Sequence, residues 1–477
     1  MPSTSCSSAE AGNNAVAVGK FQFISIQAPD DAKDQFTRRL ARSHAVKQAL
    51  KNKRKLQQES RDNFRVTTSQ DKLQMSARRR TRTRTVTTAM SFFSPSADKL
   101  DPFATLPVDS SRLQALLNNH AALQAPEPVF SVAEEAAFQS FRSVFRTGLV
   151  DPALLSAVML TLAFSAAGGS INRECLGYRG QAISYVRERM SSPGEATSEA
   201  TIGAILLLAG VEARLGMTSQ VQLHMEGVRL LLGICQRENV QLNGGIKRAI
   251  FWQDLNSSIL SGSSRIVDHK TFSELRWTRD SFPQSYFRLP PGFQMRSHLL
   301  SKNFIEVLED LHALQCIRNA TSSKLCEALT MAYINNHSAF VQSRLAALPN
   351  LSSVVACCRL AAYLCSTMLS CKIWCALVIP FHVSSRLLSE LQKANDDPVW
   401  NDHPDLLLWL LYTGGAFAPA GVVQSNYVAL LRSNSSRCGH LYASWPVLLE
   451  TVKRFIWSEK AFRAHFRAFW EDNFIQQ

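Results

Sequence analysis

The spacing of apolar residues between positions 126 and 477 constrains the fold of this chain more than any other feature. Apolar side chains recur there three or four positions apart, and alternation of β-branched residues is nearly absent. This periodicity is typical of amphipathic α-helices. Asp151-Pro152 indicates one helix start, because Asp is a favoured N-cap and Pro is favoured at the first helical position. The predicted fold class is therefore all-α, a large helical array with a disordered basic N-terminal arm.

Further helices are predicted from the same spacing and from the Pro, Gly and polar residues that interrupt it. A capping box at 131–134 predicts one start, and no fixed repeat of a solenoid type is visible. The other predicted helices span about 172–190, 198–215, 219–237, 245–260, 301–318, 322–346, 351–378, 384–394, 404–413, 421–433 and 446–470.

Composition divides the chain into four segments. Residues 1–32 are predicted to be a disordered N-terminus with a short apolar strip, and 33–65 form a basic segment compatible with a helix. Residues 66–125 are rich in Ser, Thr, Arg and Pro and are predicted to be a linker. Residues 126–477 are the predicted helical regulatory domain.

The longest apolar stretch, Val354 to Pro380, raises the question of a membrane span. It contains Arg359 and Lys372 together with several hydroxyl side chains. A charge near the centre of a span of about 20 residues is costly, so the stretch favours a buried helix or helix pair and no membrane partner is predicted.

The net charge of +14 is concentrated at the N-terminus. Residues 1–84 hold 18 Lys and Arg against 7 Asp and Glu, whereas residues 85–477 hold 34 against 31. A basic arm on a nearly neutral body is typical of binding to a polyanion or an import receptor. Apolar and basic residues of 33–65 share one side of a helical wheel, which argues against a helix lying on a membrane surface.

Two clusters within this arm, "KNKRK" (Lys51–Lys55) and "RRRTRTR" (Arg78–Arg84), are typical nuclear-import patches. The alternatives are added nucleic-acid contact and a solvated tail without a partner. The candidate residues for DNA binding or nuclear import are Arg38, Arg39, Arg42, His44, Lys47, Lys51, Lys53, Arg54, Lys55, Arg78, Arg79, Arg80, Arg82 and Arg84.

Motifs for catalysis or cofactor binding are missing from the sequence. There is no phosphate-binding loop, dinucleotide fingerprint, nucleophile elbow or zincin motif, so no catalytic residue, no cofactor and no enzyme activity are predicted. The 11 cysteines include one pair at zinc-ligand spacing, Cys371 and Cys375, within an apolar helix-like run. Packed, reduced core cysteines are the favoured interpretation, and no metal is predicted.

Three segments of the body resemble the C-terminal regulatory domain of fungal-specific transcription factors. They are "IFWQDLNSSILSGSSRIVDHKTFSEL" (Ile250–Leu275), "LLLWLLYTGGAFAPAG" (Leu406–Gly421) and "FIWSEKAFRAHFRAFWED" (Phe455–Asp472). The arm segment "TRRLARSHAVKQALKNKRK" resembles the basic stretch that often precedes this domain. Most Trp and Leu residues of these segments are predicted to be core residues.

The resemblance implies a transcriptional regulator located in the nucleus. Many family members read DNA with an N-terminal six-cysteine binuclear zinc cluster, whereas the arm of this chain holds only Cys6. The first hypothesis is therefore a fungal nuclear regulator whose arm gives import and weak DNA contact, with Arg42, His44 and Lys47 as the first residues to test. The second is a partner-binding module without DNA contact, and the third is a ligand-sensing helical protein. Other regulators, or self-association, are the expected protein partners.

Overall fold

The computed structural model describes residues 106–119, 151–320, 327–349, 352–370 and 378–475. These residues form α-helices joined by turns and short 3-10 segments, with no strand among them, which confirms the all-α prediction. The basic segment 33–65, the predicted capping box at 131–134 and the Cys371–Cys375 pair lie outside the described residues.

The described helices are numbered here in chain order. They are α1 (Ser110–Leu117), α2 (Pro152–Ala166), α3 (Arg173–Arg189), α4 (Pro193–Ala196), α5 (Glu199–Arg214), α6 (Thr218–Arg237), α7 (Gly244–Ser261), α8 (Pro291–Gln294), α9 (Lys302–Ala320), α10 (Glu327–Ala347), α11 (Ser353–Leu369), α12 (Val378–Lys393), α13 (Val399–Asp402), α14 (Pro404–Ala416), α15 (Val422–Ser433), α16 (Ser435–Cys438), α17 (Trp445–Lys453) and α18 (Glu459–Ile475).

An N-terminal core contains the buried side chains from Leu113 to Leu275, together with Ala339. Its centre is formed by α2 and α5, which contact each other and also contact α3, and α6 and α7 pack on α5. Twelve of the 15 residues of α2 and 13 of the 16 residues of α5 are buried. Helices that are apolar on all sides are typical of a protein interior, where neighbours cover every face.

A C-terminal core contains the buried side chains from Leu289 to Phe469. Here α11 packs against α12 and α14, and α14 also contacts α15 and α18. This core contains many large rings, including the fully buried Trp400, Trp409, Tyr412 and Tyr427.

Several helix starts follow the predicted cap chemistry. The Asp151 carboxylate accepts a hydrogen bond from the Leu154 amide at 2.9 Å, ahead of Pro152 at the first helical position. Asn172 and Asn243 cap α3 and α7 in the same way. Such side chains satisfy backbone amides that have no partner within the helix, which fixes where the helix begins.

Helix α1 lies inside the segment 66–125 that the sequence predicts to be a linker. Asp109 caps it, Leu113 and Leu116 are buried in the N-terminal core, and Arg112 donates to Glu174 at 2.8 Å. Eight residues are too few for a stable isolated helix, so packing stabilises it. Local composition does not record that packing, which explains the difference.

A second difference lies within the predicted helix 446–470, which is two helices, α17 and α18. Between them Phe455, Ile456, Trp457 and Ser458 are all buried, so the chain turns inside the core. The Trp457 amide donates to the Gln315 side chain at 2.8 Å, and the Ser458 hydroxyl accepts from the Ala461 amide at 3.3 Å. A turn made of apolar residues carries no composition signal for a break.

The glycine doublet Gly414-Gly415 explains the "LLYTGG" part of the second quoted segment. A Cβ at Gly414 would overlap the Tyr427 ring, and a Cβ at Gly415 would overlap the Phe469 ring. Each ring therefore lies directly against the backbone of α14. The doublet is a packing requirement of the C-terminal core.

The apolar stretch Val354–Pro380 contributes α11 and the start of α12. Most of the described side chains of α11 are buried in the C-terminal core, among them Cys357, Cys358 and Cys365. In the part of the chain that the structure describes, no helix combines the length and the apolar character needed to cross a membrane.

Candidate functional site

The predicted functional residues of the arm, from Arg38 to Arg84, all lie outside the described residues. Their role in DNA binding or nuclear import stays a prediction. The most prominent polar arrangement in the described part of the chain is instead a cluster between the two cores. It is called the junction here and consists of Asp254, Arg265, His269, Trp277, Arg279, Asp310, His337, Ser343 and Arg344.

Asp254, in the first quoted segment, holds the chain that follows α7. Helix α7 ends at Ser261 and is followed by Gly262, whose φ of 71° is the left-handed conformation that favours glycine. The chain then returns, and the Asp254 carboxylate accepts from the Ile266 amide at 2.9 Å and from Arg265 Nε at 3.1 Å. Burial raises the pKa of Asp254, while these hydrogen bonds and the Arg265 charge act in the opposite direction.

The returning segment is attached to α10 through Ser343. Arg265 Nη1 donates to the Ser343 hydroxyl at 2.8 Å, and His269 Nδ1 lies 3.2 Å from the same oxygen. The Arg265 guanidinium also lies 5.4 Å above the Phe251 ring of α7. Because α7 belongs to the N-terminal core and α10 also packs on α9 and α11, Arg265 links elements of both cores.

Asp310 on α9 is the second buried carboxylate of the junction. It accepts from Arg279 Nε at 2.7 Å and from Arg344 Nη1 at 2.9 Å. The two arginines also contact Glu309 and Glu306 at 3.1 Å. Burial raises the pKa of Asp310 to about 6, although both guanidiniums favour its charged form.

An aromatic stack lies beside this ion-pair network. The Trp277 ring lies over the His337 imidazole with 4.0 Å between centroids, and Phe340 lies 4.9 Å from both Trp277 and His269. His337 is fully buried, and this burial lowers the pKa of its imidazole to about 3. Its imidazole is therefore neutral near pH 7.

Helix α7 contacts α10 at two further points. Trp252 Nε1 donates to the Asn335 side chain at 3.0 Å. The Arg248 guanidinium donates to Asn336 at 2.5 Å and to the Glu274 backbone carbonyl at 2.6 Å. The residues of "IFWQDLNSSILSGSSRIVDHKTFSEL" thus do more than fill a core, because several of its polar members attach the N-terminal half to α10.

The junction has the chemistry of a structural connection. Its two aspartates are each 1% exposed and are occupied by guanidiniums and backbone amides, so neither is available as a general acid or base. Among the described residues, no three His, Cys, Asp or Glu side chains are grouped so as to hold a metal ion. Burial raises the pKa values of the Cys357, Cys358 and Cys365 thiols, which makes them inert core residues.

The segment Ile250–Leu275 pointed to part of this region from the sequence, whereas nothing in the sequence pointed to the Asp310 network. Arg279, Asp310 and Arg344 come from three separate elements and share no motif spacing. The sequence predicted only the apolar periodicity of the elements that carry these three residues.

A comparison with protein families gives a match over part of the chain. Residues 129–299 match the family described as the fungal specific transcription factor domain. The match includes Ile250–Leu275 and confirms the family resemblance for that part of the chain. The segments Leu406–Gly421, Phe455–Asp472 and the basic arm lie outside the match. No curated protein and no solved structure matches the chain.

Proposed function

We propose that this chain, with a fungal specific transcription factor domain over residues 129–299, acts as a transcriptional regulator in the nucleus. The family match carries the proposal, since this domain suggests a non-enzymatic regulator. The helical body serves regulation and binding of partner proteins. The basic arm serves nuclear import and weak, salt-sensitive DNA contact.

The charge distribution supports the role given to the arm. Eighteen Lys and Arg against seven Asp and Glu lie in residues 1–84, next to a body that is close to neutral. A flexible or helical cationic segment binds phosphates through counterion release, with an affinity of about 10⁻⁴–10⁻⁶ M at physiological salt. Sequence readout needs side chains held in a groove, and the arm lacks a zinc cluster that would hold them.

Import is tested by localising a tagged full-length chain and two charge variants. One variant replaces Lys51, Lys53, Arg54 and Lys55 by Ala, and the other replaces the arginines of Arg78–Arg84 by Ala. The matched control replaces the same arginines by Lys, which keeps the charge. We expect nuclear accumulation of the wild type and the Lys control, and its loss when both clusters are Ala. Nuclear accumulation of the combined Ala variant would show that the import assignment is wrong.

DNA contact is tested by the salt dependence of binding to a duplex. The logarithm of the binding constant is expected to fall with the logarithm of salt by about 0.9 per phosphate contacted. Replacing Arg42, His44 and Lys47 by Ala should weaken binding and flatten this slope. Binding that does not respond to salt, or no binding at all, would contradict the proposed DNA contact of the arm. The protein would then be a partner-binding module without DNA contact.

A further inference from the structure

Three basic side chains lie close together on the neighbouring helices α11 and α12. Arg359 belongs to α11, whereas His382 and Arg386 lie four positions apart on α12 and therefore on one face of that helix. Burial and the charge of Arg386 lower the pKa of both Arg359 and His382, so the three side chains are near enough to interact. These three residues are called the α11–α12 cluster here.

The charge of Arg359 is only partly compensated by the protein. Most residues of α11 are buried, and the Nε atom of Arg359 lies in the interior without a hydrogen-bond partner among the described residues. Its Nη1 donates to the Leu345 carbonyl, in the last turn of α10, at the long distance of 3.4 Å. The C-terminal end of a helix carries about −0.5 of an elementary charge, which is less than the charge of one guanidinium.

Arg386 adds a second positive charge beside Arg359. Its side chain is exposed, and within the described ranges it has no hydrogen-bond or ion-pair partner. Glu390, one turn further along α12, also acts on Arg359, but its carboxylate binds Lys393 at 2.8 Å. The segment 371–377 between the two helices contains no Asp or Glu and so supplies no carboxylate. Because charges that are partly buried in proteins are normally paired, the cluster has the charge pattern of an anion site.

We propose that the α11–α12 cluster of Arg359, His382 and Arg386 binds a small anion that carries a phosphoryl group. Guanidiniums present planar sets of N–H donors that match phosphate oxygens, and an imidazole can supply a further donor. A phosphoryl group carries about −1.5 to −2 charges near pH 7, which balances two arginines more closely than one carboxylate does. The site opens to solvent at the exposed Arg386, and Arg359 forms its inner wall.

The position of the cluster gives such a ligand access to both cores. Helix α12 packs against α11 and α14 of the C-terminal core, and it also contacts α7 of the N-terminal core. A bound dianion neutralises the two arginines and so stabilises the contact between α11 and α12. Anion binding is measured on the purified chain and does not depend on nuclear import or DNA contact, so this proposal and the proposed function can fail separately.

The first test is isothermal titration of the full-length chain with inorganic phosphate and, in a second arm, with glycerol 3-phosphate, at an ionic strength held constant with potassium chloride. The variant is Arg386→Ala, and the matched control is Arg432→Ala, because Arg432 is another exposed arginine of the same half of the chain. We expect a dissociation constant raised by about tenfold or more in the variant and unchanged in the control. Preference for the ester over free phosphate would show that the phosphoryl group belongs to a larger ligand.

The basic arm also attracts phosphate, but its contribution is the same in all three chains. Phosphate binding that is equal in the wild type and in Arg386→Ala therefore comes from the arm and would overturn the proposal, as would the absence of binding by the wild type. Glu390→Gln gives an opposite expectation. It removes a carboxylate that repels the anion, so we expect tighter phosphate binding, and weaker binding in this variant would contradict the assignment of the site.

The second test compares melting temperatures with and without phosphate. In chloride alone, Arg386→Ala should melt above the wild type, because the substitution removes the repulsion between Arg386 and Arg359. In saturating phosphate the wild type should melt above Arg386→Ala, because a ligand stabilises the folded chain that binds it more tightly. The order of the two melting temperatures is thus expected to reverse. The same order under both conditions would show that the two arginines do not form an anion site.

Discussion

The two cores of this protein are packed with different kinds of side chains. The N-terminal core is mainly aliphatic, and its central helices α2 and α5 are buried on nearly all sides. The C-terminal core is rich in rings, with Trp409 stacked 5.3 Å from Phe455, and Tyr412 lying 5.3 Å from Phe469. The aliphatic helices of the N-terminal core are packed against neighbouring helices on nearly all sides. In the C-terminal core, the rings of Tyr427 and Phe469 lie against backbone that has no side chain, at Gly414 and Gly415.

Because of this difference, the two cores are destabilised by different kinds of substitution. An aliphatic core tolerates exchange of one apolar residue for another of similar volume. Rings pressed against Gly414 and Gly415 leave no room for an added methyl group. Between the cores, the junction is polar and joins them through buried carboxylates.

The largest effect is expected from Asp310→Ala, which tests whether the junction makes the two cores unfold together. The change leaves Arg279 and Arg344 without their buried partner, and we expect a loss of about 3–5 kcal/mol in the free energy of unfolding. The measurement is urea unfolding followed by circular dichroism.

Glu309→Ala is the matched control, because Glu309 binds the same Arg279 from a more exposed position and should cost less than about 1 kcal/mol. If the two cores are coupled by Asp310, its loss should also separate one transition into two. Equal effects of the two substitutions would show that the buried carboxylate does not stabilise the junction.

Two groups of the junction, His337 and Asp310, are expected to change the free energy of unfolding with pH in opposite directions. His337 has a folded pKa near 3, below its unfolded value, so its contribution to stability is lost as pH falls from about 6.5 towards 3. Asp310 has a folded pKa near 6, above its unfolded value, so its contribution decreases as pH rises from about 4 to 6. The contributions are about 5 kcal/mol for His337 and about 3 kcal/mol for Asp310, and they partly cancel.

Single variants separate the two contributions. Asp310→Asn should steepen the increase of stability between pH 4 and pH 6, and His337→Phe should reverse it, measured as unfolding free energies at several pH values. Identical pH profiles for wild type and His337→Phe would contradict the assignment of a buried neutral imidazole.

A smaller effect is expected from the same substitution at two glycines. Gly415→Ala places a methyl group against the Phe469 ring and should destabilise the C-terminal core by about 1–3 kcal/mol. Gly180→Ala, in an exposed part of α3 with nothing within 4 Å, should be neutral or stabilise by up to about 1 kcal/mol. The melting temperatures of the two variants should therefore move in different directions. A common direction would mean that α14 can shift to accept the methyl group.

The smallest effect concerns thiol reactivity and leaves stability unchanged. Burial raises the pKa of Cys358 to about 12 and also raises that of the partly exposed Cys316. We expect iodoacetamide to alkylate Cys316 faster than Cys358 in the folded chain, and both equally in urea, as followed by peptide mass spectrometry. Rapid alkylation of Cys358 in the native protein would show that the C-terminal core opens readily.

Most of the fold could be predicted from the sequence because a helix places its apolar residues three or four positions apart along the chain. The bounds of α3, α5, α6 and α7 differ from the predicted ones by only one residue or so at each end. Helix α1 was missed because it is stabilised by contacts of Leu113 and Leu116 with a distant part of the chain. The break before α18 was missed because its residues are as apolar as the helices they separate.

The junction could not be predicted for a related reason. Asp310 contacts Arg279 and Arg344, which lie more than 30 positions away on either side. Ion pairs between distant elements depend on the tertiary arrangement and leave no periodic pattern in the sequence. The family resemblance, by contrast, could be recognised from Ile250–Leu275, because its Trp, Asp and Leu residues are spaced along a single helix and the turn that follows.

The contact between Gly415 and Phe469 has a consequence for how this region can change during evolution. A side chain at position 415 and a full ring at position 469 cannot occupy the same space. Relatives that carry alanine or a larger residue at the first position should carry a smaller residue at the second, and the same exclusion links positions 414 and 427. Alignments of related chains should show each pair substituting together, so two constraints on the C-terminal fold become readable from sequences alone.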